Sequence, residues 1–158
     1  MIRALAILLV ALIANAHAQE LVIGDSIAVG VAGAGKLPGD AKVGRAPSAI
    51  VGVIDRLAPF LRGRVVILST GLSNAPSQTQ AAAFELDLLQ QAGAKVIVLG
   101  VGEDVPGLSE LNPWLQDMAN GRDMLFVWGW RGVHPADYGD VLRGARVVEC
   151  RVWRICGV

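Results

Sequence analysis

The sequence predicts one α/β domain, a three-layer α/β/α sandwich around a five-stranded, mostly parallel sheet. Three observations predict it. Short apolar runs alternate with helix-patterned stretches from residue 20 onward, the rhythm of strand–helix–strand crossovers. Two of those runs, RVVILST (64–70) and KVIVLGV (95–101), are apolar without alternation, as strands buried on both faces are. The chain of 158 residues is also long enough to bury a core of this kind without metal or several disulfides.

Taken in order, Leu21, Val22 and Ile23 form a first strand that runs straight into Gly24-Asp25-Ser26. A helical turn follows from Ile27. Residues 41–43 read as a short second strand ahead of Gly44. Ser48 is expected to cap an amphipathic helix over 49–61, closed by Gly63. The third strand is the 64–70 run. Residues 77–92 form the most regular helix, with Ala81, Phe84, Leu88 and Gln91 at helical spacing and Gly93 as its stop. The fourth strand covers 95–101, a short helix 109–119, the fifth strand 124–128, and a last helix 135–145. In such sheets a site collects at the carboxyl ends of the strands. That singles out the loops at 24–26, 44–48, 70–74, 101–106 and 129–134.

The start of the chain is expected to be a secretory leader. Arg3 precedes an apolar run over 4–14, and Ala16-His17-Ala18 has the small-x-small pattern of a cleavage site. The run is too short for a bilayer, which needs about 20 apolar residues. An uncleaved N-terminal anchor is the rival reading. Residues 1–18 are thus a signal peptide and 19–158 the domain, in a secreted or periplasmic location. In that setting Cys150 and Cys156, the two cysteines of the chain, are expected to pair. Free buried thiols are the alternative, and two cysteines alone are too few for a structural zinc site. Fourteen basic and fourteen acidic side chains leave no footprint for nucleic acid. No metal or cofactor is implied; the partial glycine loop Gly100-Val101-Gly102 lacks the third glycine and helix onset of a dinucleotide motif.

A serine hydroxyl is a weak nucleophile until a positioned base takes its proton. Ser26 lies at the end of the first strand, before a helical turn whose amides suit an oxyanion. The alternative is that Ser26 only caps that turn. Once residues 1–18 are removed His134 is the sole histidine, and it lies in the loop after the last strand, on the same sheet edge.

At these residues the chain resembles the SGNH (GDSL-like) hydrolases. Gly24-Asp25-Ser26 is similar to their first block, Gly44 in VGRAPSAI to the second, Gly71-Leu72-Ser73-Asn74 to the third, and Gly132-Val133-His134-Pro135 to the fifth. The blocks stand in the expected order from residue 21 to about 145. The resemblance implies a flavodoxin-like sheet and an esterase that needs no cofactor. It implies Ser26 as nucleophile and His134 as base. The amides of Ser26 and Gly44 and the Asn74 carboxamide would form the oxyanion hole. Asp25 is expected to fix the turn.

Two departures stand out. Ser73, not asparagine, is two residues after the third-block glycine, which leaves Ser73 as an alternative to Asn74. Arg131 stands three residues before His134, where the resemblance places an acid. A guanidinium accepts no proton from the ring and opposes an imidazolium. A Ser–His dyad, a substitute acid (Asp104 or Glu103, less readily Asp137) and a weakened, binding-only relative all account for this. Of the four tryptophans only Trp130 lies near the expected site, as a candidate substrate contact; Trp114, Trp128 and Trp153 read as packing. The function expected is hydrolysis of small carboxyl esters, with O-acetyl groups on a carbohydrate or cell-wall glycan as one substrate class. A lysophospholipase or thioesterase is the rival within enzymes, and a substrate-binding protein on the same scaffold the rival outside them.

Overall fold

The computed structural model describes residues 20–154. The expected leader over 1–18 and the Cys150–Cys156 pairing, through Cys156, fall outside the described residues.

Five parallel strands form one sheet in the order β2-β1-β3-β4-β5. They are β1 (Leu21–Gly24), β2 (Gly39–Ala41), β3 (Val65–Ser69), β4 (Lys95–Leu99) and β5 (Leu125–Val127). The central pair is in register from Val65 opposite Lys95 to Ser69 opposite Leu99, and every β3 residue is buried. The helices are α1 (Ser26–Gly35), α2 (Pro47–Leu57), α3 (Thr79–Gln91), α4 (Leu111–Asn120) and α5 (Tyr138–Trp153). Strand side chains alternate between two cores, as a period of two requires. Ile23, Val66, Leu68, Val96 and Val98 pack under α2, α3 and α4. Val22, Val65, Ile67, Ile97 and Leu99 pack under α1 and α5 on the opposite face. The expected three-layer sandwich is therefore the fold. No helix among the described residues is long and apolar enough to cross a membrane.

Element boundaries differ from expectation where a local group competes with periodicity. The second strand lies at 39–41 rather than 41–43, because Val43 and Gly44 form the turn that leaves the sheet. Helix α2 starts at Pro47, whose fixed φ and missing N–H suit the first helical position, so Ser48 is inside the helix and not its cap. Pro59 then ends it early, and residues 58–60 tighten into a 3₁₀ turn. Helix α5 begins three residues later than expected, where Asp137 accepts from the Gly139 amide at 2.7 Å, and runs on to Trp153.

The largest correction concerns which face of α3 is inside. The buried residues are Ala82, Glu85, Leu86 and Leu89, whereas Phe84 of the expected stripe is 49% exposed. The stripe is rotated so that a carboxyl group enters the core.

Candidate active site

The strand order reverses direction at β1, which has β2 on one side and β3 on the other. Loops leaving β1 and β3 therefore diverge, opening a crevice at their carboxyl ends. Ser26 is the first residue of α1, directly beyond β1, and its amide is one of the helix N–H groups without an intrahelical partner. His134 comes from the loop beyond β5, three strands away, and reaches back along the edge. Its Nε2 lies 2.8 Å from Ser26 Oγ. That is hydrogen-bond reach between a nucleophile and a base. For Nε2 to accept the hydroxyl proton, the neutral ring carries its own proton on Nδ1.

Among the described residues no carboxylate is hydrogen-bonded to His134. Asp104 accepts instead from the Gly132 amide, two residues short of the ring. The Glu103 amide donates to Trp130 O at 2.9 Å. Gly102 sits so close beneath Gly132 O that a Cβ would collide with it. These three contacts clamp the 101–104 loop to the 129–134 loop and place the histidine through its backbone. Asp137 is occupied at the start of α5. The residues weighed as a substitute acid thus hold the histidine loop or cap the next helix, and none meets the ring.

Asp25 is the hub beneath the serine. It is fully buried, and its carboxylate accepts from Ile27 N at 2.9 Å, Ser69 Oγ at 2.7 Å and Asn74 Nδ2 at 3.2 Å. The first bond is the helix cap, as expected. The others tie the β1 turn to the end of β3. Asn74 Nδ2 also lies 3.3 Å from Arg45 O, so one carboxamide joins the 25–26 turn to the loop that carries Gly44. Ser73 Oγ, by contrast, is buried with no partner. Of the two residues it is Asn74 that joins the network beneath Ser26.

Gly44 is exposed, has φ +73° and has nothing within 4 Å of where a Cβ would stand, so the backbone can turn there without a side chain intruding. Its loop is anchored by Arg45, which donates to Asp40 O and Oδ1, both at 2.7 Å, while Arg56 takes the other Asp40 oxygen. Trp130 is 8% exposed and belongs to the core under α1 and α5. No group of three or more His, Cys, Asp or Glu among the described residues is arranged to hold a metal ion.

Sequence reasoning missed Ser69, Arg45 and Glu85. A serine ending an apolar strand, or an arginine beside a glycine, has no pattern that separates it from ordinary solvent-facing polarity. Glu85 is fully buried with neither carboxyl oxygen hydrogen-bonded. Burial, and after it the Asp25 charge, pushes its carboxyl well above the usual range. Tyr138 is also raised, first by burial and then by Asp25.

Because the folded pKa of Glu85 exceeds the unfolded one, its contribution is fully present below the ordinary carboxylate range. It is lost as pH rises from that range toward the folded value. Glu85→Gln removes this slope. The variant is expected to gain stability relative to the parent as pH rises from about 5 to 8, by up to about 1.4 kcal/mol per pH unit. Glu149, also raised by burial, remains in both proteins and cancels in the difference. Denaturant unfolding at several pH values checks this, and parallel curves for the two proteins would show that folding does not raise the Glu85 pKa.

The chain matches no family model and no curated protein.

Proposed function

We propose that this protein is an exported carboxyl-ester hydrolase working through an acyl-enzyme on Ser26. The observation that carries the reading is the 2.8 Å contact between Ser26 Oγ and His134 Nε2 at the mouth of the crevice. The place of Ser26 at the start of α1, the Asn74 carboxamide tied to the Asp25 turn and to Arg45 next to Gly44, and the resemblance to SGNH hydrolases support it.

Ser26 Oγ attacks the ester carbonyl carbon while His134 Nε2 takes the hydroxyl proton. Negative charge moves to the carbonyl oxygen, where the Ser26 and Gly44 amides and the Asn74 carboxamide would receive it. The intermediate collapses with cleavage of the bond to the alcohol oxygen, which leaves with the proton from Nε2. Water then attacks the acyl-serine, giving its proton to Nε2. The acid is released as the proton returns to Ser26. Asn74 gives its two N–H groups to Asp25 and Arg45 O, so in this reading it exchanges the longer bond, to Arg45 O, for one to the oxyanion as charge develops.

A fluorophosphonate probe tests the reading. Covalent labelling of the folded protein, located at Ser26 by peptide mass, is the expected result. A protein that stays unlabelled would instead be a binding protein on this scaffold, the reading favoured by Arg131 where the resemblance places an acid. Among labelled outcomes, a preference for acetyl over long-chain p-nitrophenyl esters separates an acetylesterase from a lysophospholipase or thioesterase.

A further inference from the structure

Ser26 and His134 lie 108 residues apart in the chain and meet at 2.8 Å, and among the described residues no carboxylate is hydrogen-bonded to the ring. The aim of the imidazole therefore depends on how its loop is held on either side. Upstream, Gly102, Glu103 and Asp104 fasten residues 130 and 132 to the loop after β4. Those contacts tie the histidine to a neighbouring strand and not to the serine. The tie to the serine's own helix lies downstream.

Helices α1 and α5 both begin at the active edge, Ser26 opening the first and Tyr138 the second. They pack against each other over one face of the sheet. Where they touch, α1 offers glycine. A Cβ at Gly30 would fall onto Cδ1, Cε1 and Cζ of the Tyr138 ring, and one at Gly35 would stand 2.7 Å from Leu142 Cδ2. Gly30 comes four residues after Ser26, so both lie on one face of α1, a turn apart. The ring thus occupies a notch one turn behind the nucleophile, and only a residue without a side chain leaves that notch open. Glycine is a poor helix former, so its place at this contact answers to the close approach and not to the helix. The Tyr138 hydroxyl makes no hydrogen bond among the described residues, so the shape of the ring makes the contact.

We propose that Tyr138 is a positioning residue for the Ser26–His134 pair. Its ring, seated in the Gly30 notch, sets the start of α5 against the start of α1, and with it the height at which the loop delivers the imidazole. The connection is short and stiff. Pro135 is buried with a fixed φ, and Asp137 is held by the Gly139 amide at 2.7 Å. A shift of the ring is therefore passed to His134 and not absorbed between them. The effect on rate rests on the esterase reading above; the seat itself is a matter of packing.

Tyr138→Phe, Tyr138→Leu, Gly30→Ala and the double variant Gly30→Ala/Tyr138→Leu test the proposal, each assayed with p-nitrophenyl acetate well below its own unfolding midpoint. Gly30→Ala and Tyr138→Leu are each expected to lower kcat by roughly 10²-fold, the loss that a misplacement of about 1 Å brings, with KM unchanged. Tyr138→Phe, which keeps the ring, is expected to keep the parent's kcat. In the double variant the two losses do not add, since the new methyl no longer meets a ring. A second readout needs no turnover. The proton–nitrogen NMR signals of the His134 imidazole, identified by their loss in His134→Ala, are expected to move when Ser26→Ala is introduced into the parent or into Tyr138→Phe. They are expected to stay in place when it is introduced into Tyr138→Leu or Gly30→Ala. Parent rates in those two variants, or a Ser26→Ala response that persists in both, overturn the proposal. A loss in Tyr138→Phe overturns it as well, by moving the role to the hydroxyl. A parent that neither hydrolyses the ester nor takes the fluorophosphonate would sink the esterase reading, and the NMR comparison would still decide the seat.

Discussion

Ser26→Ala is expected to lower kcat for p-nitrophenyl acetate by roughly 10²-fold, a smaller loss than a complete triad would show. Removing the nucleophile from a full triad costs about 2 × 10⁶ in kcat, and removing only its acid about 3 × 10⁴. A pair already lacking the acid retains a factor of roughly 10² for the serine to supply. Here His134 meets Ser26 at 2.8 Å and no carboxylate among the described residues. Steady-state rates of the parent and the variant, each refolded and checked for the same unfolding midpoint, decide the matter. Equal rates would remove Ser26 from the chemistry. A loss near 10⁶ would mean that some group orients His134 after all.

The largest effect on stability is expected from Asp25→Ala, about 3–4 kcal/mol. The substitution removes the cap on α1, strips the buried Ser69 hydroxyl of its acceptor and frees Asn74. A lost cap costs about 1 kcal/mol and each hydrogen bond to a buried charge about 1.5–3, with part of that offset by the desolvation no longer needed for the carboxylate. Asp25→Asn keeps an acceptor for the cap and for Ser69, but sets one amide against another at Asn74, so an intermediate loss is expected. Guanidinium unfolding measures both. A loss below about 1 kcal/mol for the alanine variant would show that the network beneath the serine contributes little.

Those two residues mark how far the sequence could be read. The sheet was legible because strands buried on both faces must be apolar throughout, and 64–70 and 95–101 are. Ser26 and His134 were legible because position at a strand end, together with the scarcity of histidine, leaves few other pairs. The acid question was legible only as a gap at Arg131. Its answer, a loop clamped through Asp104, Gly102 and the Glu103 amide, uses backbone groups that every residue carries and no sequence pattern distinguishes. Asp25 was expected to fix the turn, and it does. That it also gathers Ser69 and Asn74 depends on residues 44 and 49 positions away.

By itself, then, the sequence determined the alternation of strands and helices, and with it the sandwich and the edge where its polar residues collect. These follow from local periodicity and turn chemistry, which each segment carries within itself. Only the tertiary structure decided that α3 turns Glu85 inward, that Asn74 and not Ser73 is bonded to Asp25, and that among the described residues no carboxylate meets the His134 ring. These are settled by which surfaces meet across the sheet. A side chain's burial, its charge state and its partners are properties of that meeting and not of the segment it belongs to.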